Sequence, residues 1–180
     1  MQFNKKVSLF TAAFLVLPVT AAFVIDAPAT AAANPYSDVT TKDGHYEAIV
    51  NLTEQGIVSG VTKTVFHSTK AATRGEAALF IANALNLNTT SVSNPNFKDL
   101  PTSSPYYSAA AALYELKVIG GYTDGTFRPD GTLKRSEIAK MLTLAFELDM
   151  SSVSQTKFAD VNVITDTNMK RYIQTLIDYG

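Results

Sequence analysis

Arg74 and Arg135 stand 61 residues apart, each at the opening of a segment with helical apolar spacing. A cation in the first turn of a helix is unfavourable by about 0.3–1 kcal/mol, because free N–H groups and the macrodipole already make that end positive. The same end is a ready site for an anion. Two arginines placed there make sense if a carboxylate occupies the spot, gripped by a guanidinium fork together with helix N–H groups. The alternative is structural, with each pairing with Glu76 or Glu137, or with Asp38 or Asp99, to fasten the module. Lys134 stands where the first copy has the capping residue Thr73, and offers weaker capping and a second cation for a ligand. Tyr122 has no aromatic counterpart in the first copy and reads as a sugar-stacking ring or as an ordinary exposed tyrosine.

Other chemistry lacks its parts. The 180 residues hold no cysteine, which excludes disulfides, thiol nucleophiles and cysteine-ligated zinc. His45 and His67 have no serine-and-acid context for a triad. Asp43 to Glu47 clusters metal-ligand types, but the cluster is not repeated and reads as a solvated loop. The stretch from Asp124 to Glu137 fails as a calcium loop because Arg128 and Arg135 fall where oxygen ligands belong. Neither a phosphate-cradling Gly-Lys-Ser/Thr loop nor a dinucleotide fingerprint occurs. A carboxylate pair for glycoside hydrolysis is a three-dimensional arrangement to which nothing in the sequence points. No catalytic residue, metal or cofactor is therefore expected. The formal net charge of −1 argues against nucleic acid and against a membrane surface, both of which draw on clustered Lys and Arg.

The elements that position these residues begin after an export segment. Lys5 and Lys6 precede an apolar run from Val7 to Val24, and small residues at Ala31 and Ala33 suit a signal peptidase. A signal peptide over residues 1–33 is expected, with no membrane association after its removal. An uncleaved anchor is the alternative, because the run is long. Without Lys5, Lys6 and Asp26 the remainder carries 13 basic and 15 acidic residues.

Beyond Ala33 the chain repeats itself. A shift of 61 positions aligns Asp38 with Asp99, Tyr46 with Tyr107, Gly60 with Gly121, Phe66 with Phe127, Arg74 with Arg135 and Glu76 with Glu137. Asp160 lies one further shift on, in Phe158-Ala159-Asp160-Val161. Tyr46, Ile49, Val50, Thr53 and Ile57 share one helix face, as do Ala77, Phe80, Ile81, Ala84 and Leu85 in the next segment. Each copy is a helix, a long loop and a second helix. Thr73-x-x-Glu76 forms a capping box, and Asp38, Asp99 and Asp160 read as turn or cap residues before helices. Phe66 and Phe127 read as loop anchors in the core, and Gly121 and Gly125 as glycines at backbone angles other residues resist. The expected organisation is copy one over 34–93, copy two over 94–154, and the first half of a third over 155–180. A half copy leaves one amphipathic helix without its partner, which suggests the N-terminal part of a longer protein; a natural truncation is the alternative.

These residues resemble the S-layer homology (SLH) family. Copy two carries Phe97-Lys98-Asp99-Leu100, then Gly121-Tyr122-Thr123-Asp124-Gly125-Thr126-Phe127-Arg128-Pro129, then Lys134-Arg135-Ser136-Glu137. Copy one keeps Thr73-Arg74-Gly75-Glu76 but lacks the Asp-Gly and the Pro of the loop, and no Trp stands in either first helix. The resemblance implies an all-α fold of tandem helix–loop–helix repeats around a shared pseudo-threefold axis, with the third repeat incomplete. It implies a secreted protein held non-covalently at the cell wall or S-layer of a Gram-positive prokaryote. The partner it implies is a secondary cell-wall polysaccharide, a peptidoglycan-linked glycan often carrying a pyruvate ketal. Arg74 and Arg135 are then the anion contacts, with Gly60, Gly121 and Asp124 shaping the loops. Two other functions stay open: self-assembly with other surface-layer copies, or anchoring of a wall-active enzyme whose catalytic domain lies beyond residue 180.

Overall fold

The computed structural model describes residues 33–150, 152 and 158–179, so the export segment falls, Ala33 apart, outside the described residues. Those residues form six helices: α1 (Tyr46–Glu54), α2 (Arg74–Ala84), α3 (Tyr107–Glu115), α4 (Arg135–Ala145), α5 (Ala159–Asn162) and α6 (Thr167–Tyr179). The bounds of α3 and α4 lie 61 residues after those of α1 and α2. No strand forms among them; an isolated antiparallel bridge joins Thr73 to Thr132.

All four helices of the first two copies stop in the same way. After α1, Gly56 donates to the Thr53 carbonyl and Ile57 to that of Leu52, the paired bonds of a Schellman ending. Asn86 with Leu87, Lys117 with Val118, and Glu147 with Leu148 repeat the pattern. The residue that turns the chain has positive φ each time, and only Gly56 is a glycine. The residue after it is always aliphatic, and Leu87 and Val118 belong to the packing of the main core. Ile57, expected on the face of α1, belongs to this turn rather than to the helix.

The most extensive helix packing joins neighbouring copies: α2 lies against α3, and α4 against α6. Small side chains make the first of these close. Gly75, Ala77, Ala78 and Ala82 are buried on α2, and Ala109 to Ala112 on α3. Alanine is also the best helix former, so one residue type serves propensity and approach together. The main core runs from Ala78 and Ile81 through Leu100 and Leu113 to Val118, Ile119 and Phe127. A smaller cluster holds Tyr36, Val39 and Ile49 under α1, with Phe66 packed against it. The α4–α6 contact is more polar: Thr143, Lys170, Gln174 and Thr175 are buried, and Thr143 donates to the Tyr172 carbonyl at 3.4 Å. The short α5 occupies ground where the first two copies have only turns.

Candidate functional site

The loop that follows each first helix is pinned by an aspartate. Asp38 accepts the backbone N–H groups of Phe66 (2.8 Å) and His67 (2.7 Å). Asp99 accepts those of Phe127 and Arg128, both at 2.7 Å. His67 and Arg128 have φ of 68° and 61°, a left-handed conformation costing about 1–2 kcal/mol for an L side chain. Paired bonds to a charged acceptor offset that cost. Asp38 and Asp99 sit in turns, one of the two roles expected from sequence, while Asp160 lies within α5; none of the three is an N-cap, since His45, Tyr106 and Phe158 hold those positions in α1, α3 and α5. The loop backbone N–H groups holding Asp38 lower its pKa below the ordinary value.

Beyond the clamp, Phe127 is fully buried and stacks on Phe97 at 5.4 Å, while Phe66 packs on Tyr36 at 5.2 Å. Gly121 does not need unusual backbone angles; an added Cβ would stand 2.7 Å from the Phe97 ring. Gly60 is similarly crowded by Tyr36 and the Val65 carbonyl, and donates to the Tyr36 hydroxyl at 2.9 Å. Gly125, at φ +83°, is the glycine that fits the expectation.

Arg74 crosses from copy one to the loop of copy two. Its Nη2 donates to the Gly120 carbonyl at 2.8 Å, and its Nη1 lies 3.8 Å from Glu137 Oε1. The guanidinium carbon stands 5.4 Å from the centre of the Tyr122 ring and 5.1 Å from that of Phe127. Both distances are within reach of a cation–π contact. The side chain is only 12% exposed, and its Nε–H is buried without an acceptor. A hollow of about 160 Å³ opens beside it, walled by Gly120, Gly121, Tyr122, Glu137 and Lys140. The Tyr122 hydroxyl donates to Glu137 at 3.4 Å, and the Arg128 guanidinium carbon stands over the same ring, 4.0 Å from its centre.

One expectation fails here. The first-turn N–H groups of α2 are not open to an anion: Arg74 donates to the Gly131 carbonyl and Gly75 to that of Pro129, both at 2.8 Å. Glu76 donates to Thr73 Oγ1 at 3.2 Å, and its carboxylate accepts the Thr73 N–H at 2.8 Å, completing the capping box. Burial pushes the Glu76 carboxyl up, but that N–H and the Lys70 ammonium outweigh it and hold the pKa below its ordinary value. Only the guanidinium is left for a ligand.

Arg135 has a different setting. It is 76% exposed and pairs with Asp160 at 3.1 Å. It borders a larger hollow of about 910 Å³ between α4 and α6. Lys134 lines this second hollow and not the Arg74 site. Having no acceptor atom, Lys134 makes half a capping box, its N–H bonded to Glu137 Oε2 at 2.9 Å. Asp124 and Gly60 line neither hollow. Asp124 instead accepts from Thr126 N, Thr126 Oγ1 and Arg128 Nη2, which depress its pKa strongly. The structure thus gathers Arg74, Gly121, Tyr122 and Glu137 at one site, and sets Lys134 and Arg135 at another. Lys140 and Gly120 were missed, and only helical spacing from Glu137 to Lys140 marked the former in the sequence.

The family profile of the "S-layer homology domain" matches residues 35–78 and 96–139, two segments offset by the same 61 residues. The chain is similar to a "Surface-layer 125 kDa protein" of Lysinibacillus sphaericus, 33% identical over 170 residues, which is 93% of this chain and 14% of that one. An "S-layer protein" of Bacillus thuringiensis subsp. finitimus is 33% identical over 151 residues, 81% of this chain and 18% of the relative. A "Cellulosome-anchoring protein" of Acetivibrio thermocellus is 29% identical over 155 residues, 81% of this chain and 32% of the relative. The chain therefore spans between 14% and 32% of the length of these three relatives.

Proposed function

The chain belongs to the S-layer homology domain family, and from that we propose that it holds a surface protein non-covalently to the cell wall by gripping an anionic glycan beside Arg74. A cell-surface anchoring role agrees with the names of the relatives, which are surface-layer and anchoring proteins. The finer reading, a secondary cell-wall polysaccharide bearing a pyruvate ketal, is what the family resemblance implies, and one observation supports an anionic ligand here. A largely buried guanidinium lies between two aromatic rings, with one N–H lacking an acceptor and an open hollow at its side.

A buried donor without a partner costs about 1–3 kcal/mol, and more where the group is charged. The nearest acid, Glu137, is 3.8 Å away and already serves Lys134 and Tyr122, so it satisfies the cation only in part. A carboxylate carried on a sugar supplies what is missing. Lys140 adds a second positive charge to the lining of the hollow, which Tyr122 shares. The role is binding, not catalysis.

The test is retention of the protein by purified cell-wall sacculi. Arg74→Ala should lower retention at least tenfold while leaving helical circular dichroism unchanged, and removal of the ketal from the wall polymer should have the same effect on the unaltered chain. Equal retention of Arg74→Ala and the unaltered chain would remove the arginine from the mechanism.

A further inference from the structure

The loops of copies one and two share a backbone plan but differ in side chains at three matched places. In both, an aspartate clamp holds the turn: Asp38 takes the N–H groups of Phe66 and His67, and Asp99 those of Phe127 and Arg128. His67 and Arg128 occupy matched positions with φ of 68° and 61°. Tyr122, Asp124 and Arg128 of copy two stand where copy one has Val61, Lys63 and His67. Ring, acid and guanidinium are thus absent from copy one together, and its loop makes the turn without them. What the three residues add in copy two lies beyond forming the turn.

They are joined to one another. Arg128 Nη2 donates to Asp124 Oδ2 at 2.9 Å and its Nε to Thr126 Oγ1 at 3.2 Å. The guanidinium carbon then stands 4.0 Å from the centre of the Tyr122 ring, the shortest cation–ring distance among the described residues. An exposed ion pair stabilises little by itself. Here the two bonds fix where the cation sits over the ring. Arg128 lines neither hollow, and Asp124 already matches its charge, so its route to the Arg74 site runs through Tyr122.

At that site one carboxylate oxygen decides how open Arg74 is. Glu137 Oε1 accepts from the Tyr122 hydroxyl at 3.4 Å and lies 3.8 Å from Arg74 Nη1. Glu137 Oε2 is held separately by the Lys134 N–H at 2.9 Å. A movement of about 1 Å would bring Oε1 into a charge-assisted hydrogen bond with Arg74. The cation would then be satisfied from within the chain.

We propose that Arg128 is a positioning residue for the anion site: with Asp124 it holds the Tyr122 ring, whose hydroxyl keeps Glu137 Oε1 off Arg74. This rests on the reading of Arg74 as an anion contact, and adds how that arginine is kept from its own acid. Without Arg128 the ring is released, Glu137 closes on Arg74, and a ligand carboxylate meets a cation already neutralised.

Two readouts test this: retention by purified cell-wall sacculi, and the Arg74 Nε–H resonance seen by NMR without wall material and assigned through Arg74→Lys. Arg128→Ala should lower retention about fivefold and shift the Arg74 resonance. Glu137→Gln keeps an acceptor for the Lys134 N–H but removes the charge that competes for Arg74. In that background Arg128→Ala should change retention by less than about twofold, the non-additivity expected of residues acting through one contact. A loss of the same size in both backgrounds would make Arg128 a direct glycan contact or a general prop of the loop, and overturns the proposal. No loss in either background overturns it too, as does an Arg74 resonance that Arg128→Ala leaves in place. If the unaltered chain is not retained by sacculi at all, the glycan reading falls separately, and the resonance alone, moved or unmoved, decides for or against the hold on Arg74.

Discussion

The ring of Tyr106 lies over the α-carbon of Gly75, so close that a methyl group added there would stand 2.4 Å from Cδ2. In an exposed helix a glycine-to-alanine change stabilises by up to about 1 kcal/mol. Here the sign should reverse. The added methyl must push Tyr106, and with it α3, away from α2, at a cost of about 1–3 kcal/mol. Urea denaturation of Gly75→Ala should show a lower midpoint, and a midpoint at or above that of the unaltered chain would show that the two helices can separate freely.

Truncation of the two loop anchors should separate their environments. Phe127 is fully buried, whereas Phe66 is only partly so. Phe127→Ala is expected to cost about 3–5 kcal/mol. Phe66→Ala should cost clearly less, because less apolar surface returns to water and the remaining space is open to it. Denaturant midpoints of both variants, taken at equal m-value, check the order.

Glu147 ends α4 with φ of 48°, and places an acid at the negative end of the helix. Both features are unfavourable, and glycine removes both. Glu147→Gly should therefore stabilise by about 1 kcal/mol, a rise in Tm of about 2–4 °C for a domain of this size. Calorimetric melting decides it; a fall in Tm would mean that the carboxylate has a role in the turn.

Acid should loosen the loops before it unfolds the helices. Asp38 and Glu76 both have folded pKa values below their ordinary ones of 3.8 and 4.5. A depressed carboxylate contributes stability that is whole above the unfolded pKa and is lost as pH falls through the folded one. The contribution of this pair is thus complete above about pH 4.5 and is lost progressively as pH falls through the folded pKa values, which lie below 4.5 for Glu76 and below 3.8 for Asp38. Asp38→Asn should flatten the pH dependence of the denaturation midpoint between pH 4.5 and 2.5, and an unchanged slope would show that the clamp does not titrate with folding.

The helices were legible in the sequence because their cause is local. Apolar spacing of three and four, Thr73 with Glu76, and a 61-residue register each act within one turn or one copy. Glu137 was among the acids the sequence offered to the arginines, but the carbonyl partners of Arg74 were not legible, since Gly120 and Gly131 lie in another copy and their approach depends on how α2 seats on α3. Nor was the filling of the α2 entrance by two loop carbonyls, which cancels the helix N–H half of the anion argument and leaves the guanidinium half. Lys117 and Glu147 in left-handed turns carry no signal in their own residue types, because such positions favour glycine and here the paired helix-end bonds hold other residues.

The seating of α2 on α3, and of α4 on α6, puts the cooperative block out of phase with the block that recurs in the chain. A recombination event that exchanges one whole recurring block would sever two hydrophobic cores at once. One that exchanges the stretch from the start of a second helix to the end of the next loop would keep α2 on α3 and carry most of one core, leaving Met141 and Ala145 of α4 to be matched. Viable chimaeras among such chains should therefore have their crossovers near residues 73 and 134, and not in the serine- and asparagine-rich connections where the recurring blocks meet.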